Sequence, residues 1–181
     1  MRRPPDLPPV TGAGTHDPGR IVRNTATWLG YFMVALQIYL FNVQGNVIPF
    51  LQTEFDLSYA VVGLHSIALA AGVILVGLVG NRIAGRMPRS TMLMLAAASM
   101  AGASLLLCLA PTVWLSLAAF LLVGVGGGLS SVVVPAMMSD IHGERRSQAL
   151  TEQAIIAYGF AIVGPLVTGL SVAQGLGWRP A

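Results

Sequence analysis

"LSYAVVGLHSIALAAGVILVGLVGN", residues 57–81, runs for 25 residues without one Asp, Glu, Lys or Arg. The next eight, "RIAGRMPR" at 82–89, bring three arginines, laced with Gly85 and Pro88. A helix needs about 20 apolar residues to cross a bilayer. The first stretch is long enough to cross, and the second marks where the chain re-enters water. The same punctuation recurs. Residues 24–53 are 30 without a charge, 90–139 are 50, and 153–178 are 26. The 50-residue run is too long for one crossing, and Ala110-Pro111-Thr112 offers a break. The pattern predicts an all-α polytopic transmembrane bundle. Its five spans lie at about 28–50, 60–80, 92–110, 114–138 and 150–172. Barrel strands would alternate over about ten residues; these runs are continuous.

Composition agrees. Apolar residues make up 55% of the chain and charged residues 9%, against about 25% in a soluble domain. The partner this implies is the lipid bilayer. Residues 1–27 differ: Pro4, Pro5, Pro8, Pro9 and Pro18 accompany four arginines, the composition of a disordered arm. The apolar run that follows is too long for a signal peptide and is read as a retained first helix.

All ten cations are arginine. Arg2, Arg3, Arg20, Arg23, Arg82, Arg86, Arg89, Arg145 and Arg146 fall on one side of the predicted spans, and Arg179 alone on the other. The positive-inside rule therefore predicts a cytoplasmic N-terminus in the plasma (inner) membrane. No basic face with interleaved aromatics exists, so nucleic acid is not an expected partner. Cys108 is the single cysteine and offers neither a disulfide nor a metal cluster. No cofactor, metal or catalytic set is expected, and "GVGGGLSS" at 124–131 sits mid-span, where close helix packing accounts for it better than a phosphate loop.

Polar residues inside the spans are the candidate site. In span one, Tyr39, Asn42 and Asn46 fall on one stripe at about 100° per residue, and Gln37 and Gln44 on the opposite stripe. Hydrocarbon does not tolerate such groups, so a stripe must face protein or water. Tyr39, Asn42 and Asn46 are the candidates to line a substrate cavity; interhelical hydrogen bonding is the alternative. Gly45 and Pro49 would loosen the same helix. Glu152 and His65 are the possible coupling residues. For Glu152 the alternative is an ion pair to Arg145 or Arg146, and for His65 a packing role.

Four stretches resemble the major facilitator superfamily of secondary transporters. Gly77, Asn81 and Arg82 fall where the family ends its second helix with a Gly and an Asp-Arg pair, with Arg86 and Arg89 as the basic run and Pro88 where Gly is usual. "NVIPFLQTEFDLS" at 46–58 is similar to the family's first-helix end and outer loop. "AYGFAIVGPLVTG" at 157–169 resembles its fifth-helix Gly-Pro motif, common in antiporters: Gly159, Gly164, Pro165 and Gly169 match, and Thr168 replaces a Gly. "GLGWRPA" resembles the loop before the sixth helix.

The resemblance covers about residues 28–181 and implies a small-molecule transporter, exporter-like, working by alternating access between two six-helix halves. The chain would then be an N-terminal fragment whose partners include the missing C-terminal half and a small-molecule substrate. Gly77, Asn81, Arg82, Arg86 and Arg89 would form the conformational gate loop, with Gly77 and Gly80 admitting a neighbouring helix closely. Two departures stand out. Phe120 occupies the fourth-helix position where proton-coupled members carry Arg, and Asn81 replaces the usual acid. Outside this family, a small non-transporting membrane scaffold or assembly protein fits the same polar stripe.

Overall fold

The computed structural model describes residues 23–179. Five α-helices account for nearly all of them: α1 (Thr25–Glu54), α2 (Tyr59–Ala84), α3 (Arg89–Leu109), α4 (Val113–His142) and α5 (Arg146–Ala173). Each boundary has a local cause. Asn24 caps α1, its side chain accepting from Thr27 N at 2.9 Å. Ser58 caps α2. Pro88 precedes α3, and Ala110-Pro111-Thr112 separates α3 from α4 as expected.

Counted as continuous helical stretches, four are long and apolar enough to cross a membrane, the fourth being Val113–Ala173. At 61 residues it would be about 90 Å long if straight, three times the hydrocarbon core. It is not straight. The turn Gly143–Arg145 divides it into α4 and α5, with Gly143 at φ +53, a conformation that costs a side-chain-bearing residue strain. This turn reconciles four stretches with five crossings. The helices also outrun the expected spans. In particular, α1 begins at Thr25, inside the expected arm, because Asn24 supplies a cap. Residues 1–22 of that arm lie outside the described residues.

Packing fixes the directions. α2 runs parallel to α4: His65 meets Ser116, Gly72 meets Gly124, and Gly80 meets Val132. α1 runs parallel to α5, with Arg23 at Glu152 and Val43 at Gly164. α3 is antiparallel to α4, and α1 crosses α4 antiparallel with less contact.

The glycine-rich stretch in α4 is the hub, as its sequence suggested. A Cβ on Gly124 would lie 3.1 Å from Gly72 Cα, and one on Gly128 2.9 Å from Val76 Cβ, both in α2. A Cβ on Gly126 would meet Met100 Cγ of α3 at 2.7 Å, and one on Gly127 would meet Phe41 Cζ of α1 at 2.5 Å. Four glycines thus serve three neighbours, and close backbone approach replaces the hydrophobic drive that lipid removes.

Polar ties gather at the two ends of the bundle. At the end holding Arg23, that arginine pairs with Glu152, Thr27 Oγ1 lies 3.0 Å from His142 Nε2, and Arg89 pairs with Asp140. At the other end Arg179 pairs with Glu54, and its Nη1 donates to Cys108 O at 2.7 Å. The Trp178 indole N–H donates to Glu54 at 3.2 Å.

Candidate functional site

α1 places its polar residues on faces of different character. Gln37 and Gln44 are buried. Gln37 Nε2 donates to Ser131 Oγ of α4 at 3.0 Å, tying two helices. Gln44 has no partner at either side-chain polar atom. It lines a cleft of about 120 Å³ between α1 and α3, closed at one end by Trp178 and Arg179. The opposite stripe is more open. Asn42 and Asn46 are half-buried, while Gly45 and Pro49 are exposed. Neither Asn side chain bonds another helix among the described residues. Asn42 Nδ2 donates to Ile38 O and Asn46 Nδ2 to Asn42 O, each at 2.9 Å within α1. The interhelical alternative therefore describes Gln37, on the stripe less suspected of function. Tyr39 parts from the two asparagines: it lines an apolar cleft with Phe32, Leu36, Phe160 and Val163, between α1 and α5.

Glu152 corrects an expectation. Its carboxylate does not pair with Arg145 or Arg146. Arg23, 129 residues away, donates to both of its oxygens at 2.8 and 2.9 Å, and Tyr31 OH adds a third bond at 3.1 Å. The hydrogen bonds and charge of Glu152 hold the Arg23 guanidinium above its ordinary pKa. The carboxylate is committed to joining α1 with α5. A pairing one turn away on the same helix was the sequence-level expectation; helix packing supplied a cation from the far end of the chain.

His65 is buried between α2 and α4. Nδ1–H donates to Val61 O at 3.1 Å, and Nε2 lies 2.9 Å from Ser116 Oγ. Phe120 stands edge-on to the ring at 5.0 Å. The residue in the place of the family arginine thus packs against His65. Both ring nitrogens are engaged, which makes His65 an interhelical tie.

The gate-loop residues separate by environment. Arg82 and Arg86 are exposed and form no ion pair among the described residues, and the Asn81 side chain makes no hydrogen bond among them. Arg89 differs, being held by Asp140, with Ala136 O at 3.4 Å. Gly77 is exposed, and among the described residues nothing lies within 4 Å of a Cβ there. Gly80, one turn on, is the buried contact, 3.2 Å from Val132. In α5 only Gly164 of the Gly-Pro motif makes a close approach, its Cβ position lying 3.1 Å from Val43 and 3.5 Å from Tyr39 O. Gly159 and Gly169 face open space and Pro165 is exposed. Sequence reasoning missed Arg23 and Asp140 as partners, because the residues they pair with, Glu152 and Arg89, lie 129 and 51 positions away in the chain.

Among the described residues no cluster of three or more His, Cys, Asp or Glu could hold a metal ion. No curated protein and no solved structure matches the chain. Residues 27–181 match the model of the Major Facilitator Superfamily. With helices that cross the membrane repeatedly and a match over most of its length, the chain belongs to that superfamily of membrane transporters.

Proposed function

We propose that these five helices form one wall of a secondary active transporter that carries a small molecule by alternating access, in the exporter direction. The observation that carries this reading is the face of α1 bearing Asn42, Gly45, Asn46 and Pro49. It is polar, and among the described residues no other helix bonds Asn42 or Asn46 and nothing lies within 4 Å of a Cβ on Gly45. Lipid is a poor cover for it, because freed backbone carbonyls and amides in hydrocarbon cost several kcal/mol each. Water and cargo are better cover.

The unpaired Arg82 and Asn81 support a second role, as a latch to a second helical bundle when the cytoplasmic side closes. Among the described residues neither has a side-chain partner, whereas Arg89 is held by Asp140. The arginine distribution supports a cytoplasmic N-terminus in the plasma membrane. Flux through the intact transporter in proteoliposomes tests the cavity: Asn42→Leu should reduce transport several-fold, up to about tenfold, the scale of one lost hydrogen bond to cargo. Undiminished flux would remove α1 from the pathway. For the latch, crosslinking between cytoplasmic ends should report a shift in the inward-to-outward balance with Arg82→Ala, and an unchanged balance would leave Arg82 a topology signal only.

A further inference from the structure

Gln44 is 3% exposed, and neither its Nε2 nor its Oε1 has a hydrogen-bond partner among the described residues. A buried amide in that state is costly, because it has given up water for nothing in return. Gln44 lies about 200° around α1 from both Asn42 and Asn46, and it lines the cleft of about 120 Å³ between α1 and α3. The rest of the cleft decides what can relieve it. Leu40, Val43, Val47 and Leu107 give it an apolar wall. Its other polar groups are engaged: Ser104 Oγ donates to Met100 O at 3.0 Å and Cys108 Sγ to Arg179 O at 3.1 Å. Arg179 closes one end, but its guanidinium is held by Glu54 and by Cys108 O, beside the Trp178 ring. No unbalanced charge lines the cleft to draw in an ion. Volume sets the size. An apolar cavity of about 150 Å³ holds benzene, so this one has room for a small ring and is too small for a turn of helix. Water is a poor occupant, since each molecule needs two to four polar partners and one free amide cannot supply them throughout the cleft.

We propose that the α1–α3 cleft binds a neutral ring compound carrying an N–H and a C=O side by side, the edge of a lactam or cyclic imide. Gln44 Nε2 donates to the carbonyl, Oε1 accepts from the N–H, and the ring fills the apolar remainder. Two parallel bonds of this kind need both ends of the amide free. Gln44 meets that condition, whereas Gln37, two turns earlier, has given its Nε2 to Ser131. The site lies on the other face of α1 from the proposed cargo wall and does not depend on it.

2-Pyrrolidinone and cyclopentanone make the test, because both are five-membered rings with one oxygen and only the first has an N–H. Their saturable binding to the full chain in nanodiscs is read by ligand-observed NMR, with the signal of empty nanodiscs subtracted. 2-Pyrrolidinone should bind. Gln44→Leu should lower the ratio of its affinity to that of cyclopentanone several-fold, up to about tenfold. Comparing the ratio between the two proteins cancels the unequal partition of the probes into lipid. Gln44→Leu removes an unpartnered amide at nearly constant volume, so the bundle should tolerate it. Ser104→Leu, which fills the cleft from α3, should abolish binding of both probes. An unchanged ratio in Gln44→Leu would overturn recognition of the amide edge. Binding that survives Ser104→Leu would place the site elsewhere, and the absence of saturable 2-pyrrolidinone binding would overturn the proposal outright.

Discussion

A methyl group at Gly124 would lie 3.1 Å from Gly72 Cα and 3.0 Å from the Leu69 carbonyl carbon. Backbone cannot step aside as a side chain does, so Gly124→Ala must push α2 away from α4. We expect a loss of about 1–3 kcal/mol, seen as a lower thermal midpoint in detergent. Gly77→Ala, with open space around it, should leave the midpoint unchanged and gain slightly in helix propensity. In the sequence the two glycines look alike, each in a charge-free run among valines and leucines. What separates them is the face they occupy, and a helix uniformly apolar around its circumference does not announce its faces. The asparagines of α1 were easier to find, because a polar group in an apolar run stands out whichever way it points. Their bonding was not legible, since a side chain that folds back on its own helix leaves no mark on spacing.

At the scale of elements, α1 and α5 are joined at one end by the Arg23–Glu152 pair, with Tyr31 beside it. The two charged side chains are 40% and 22% exposed, so solvent screens the pair and leaves it a weak tie. Arg23→Glu and Glu152→Arg should each destabilise the bundle slightly, and the double exchange should recover most of the loss. A double-mutant cycle on thermal or denaturant unfolding checks this. Additivity of the two losses would show that the pair contributes nothing. The extent of each helix was legible because charge-free runs are bounded by arginine, proline and glycine. The pairing was not, because it depends on how α5 packs back after the Gly143 turn.

Across the whole molecule the parallel pair α2–α4 and the parallel pair α5–α1 run in opposite directions. Each has a glycine at its closest approach, Gly124 and Gly164 respectively. Successive crossings alternate in direction, so even-numbered and odd-numbered helices each pair in parallel with their own kind. The arrangement places Arg82, Arg86, Arg145 and Arg146 at the same end as Arg23. Replacing Cys108 by Ser and adding one cysteine at Ser147 or at Thr112 allows a test with a membrane-impermeant thiol reagent on intact cells. Ser147 should stay unlabelled and Thr112 should react; the reverse pattern would invert the orientation.

The long reach of the end ties bears on the order of events during synthesis. Arg23 waits for a residue 129 positions later, and Glu54 for one 125 positions later. α2, α3 and α4 find their main partners within one another, so they can assemble while the ribosome is still adding α5. α1 emerges first, can join them through Gln37–Ser131 and Thr27–His142 once α4 is made, and gains its α5 tie last. Until α5 arrives the face that it will cover is open, and the bonds to Ile38 O and Asn42 O hold one N–H of Asn42 and one of Asn46 within the helix.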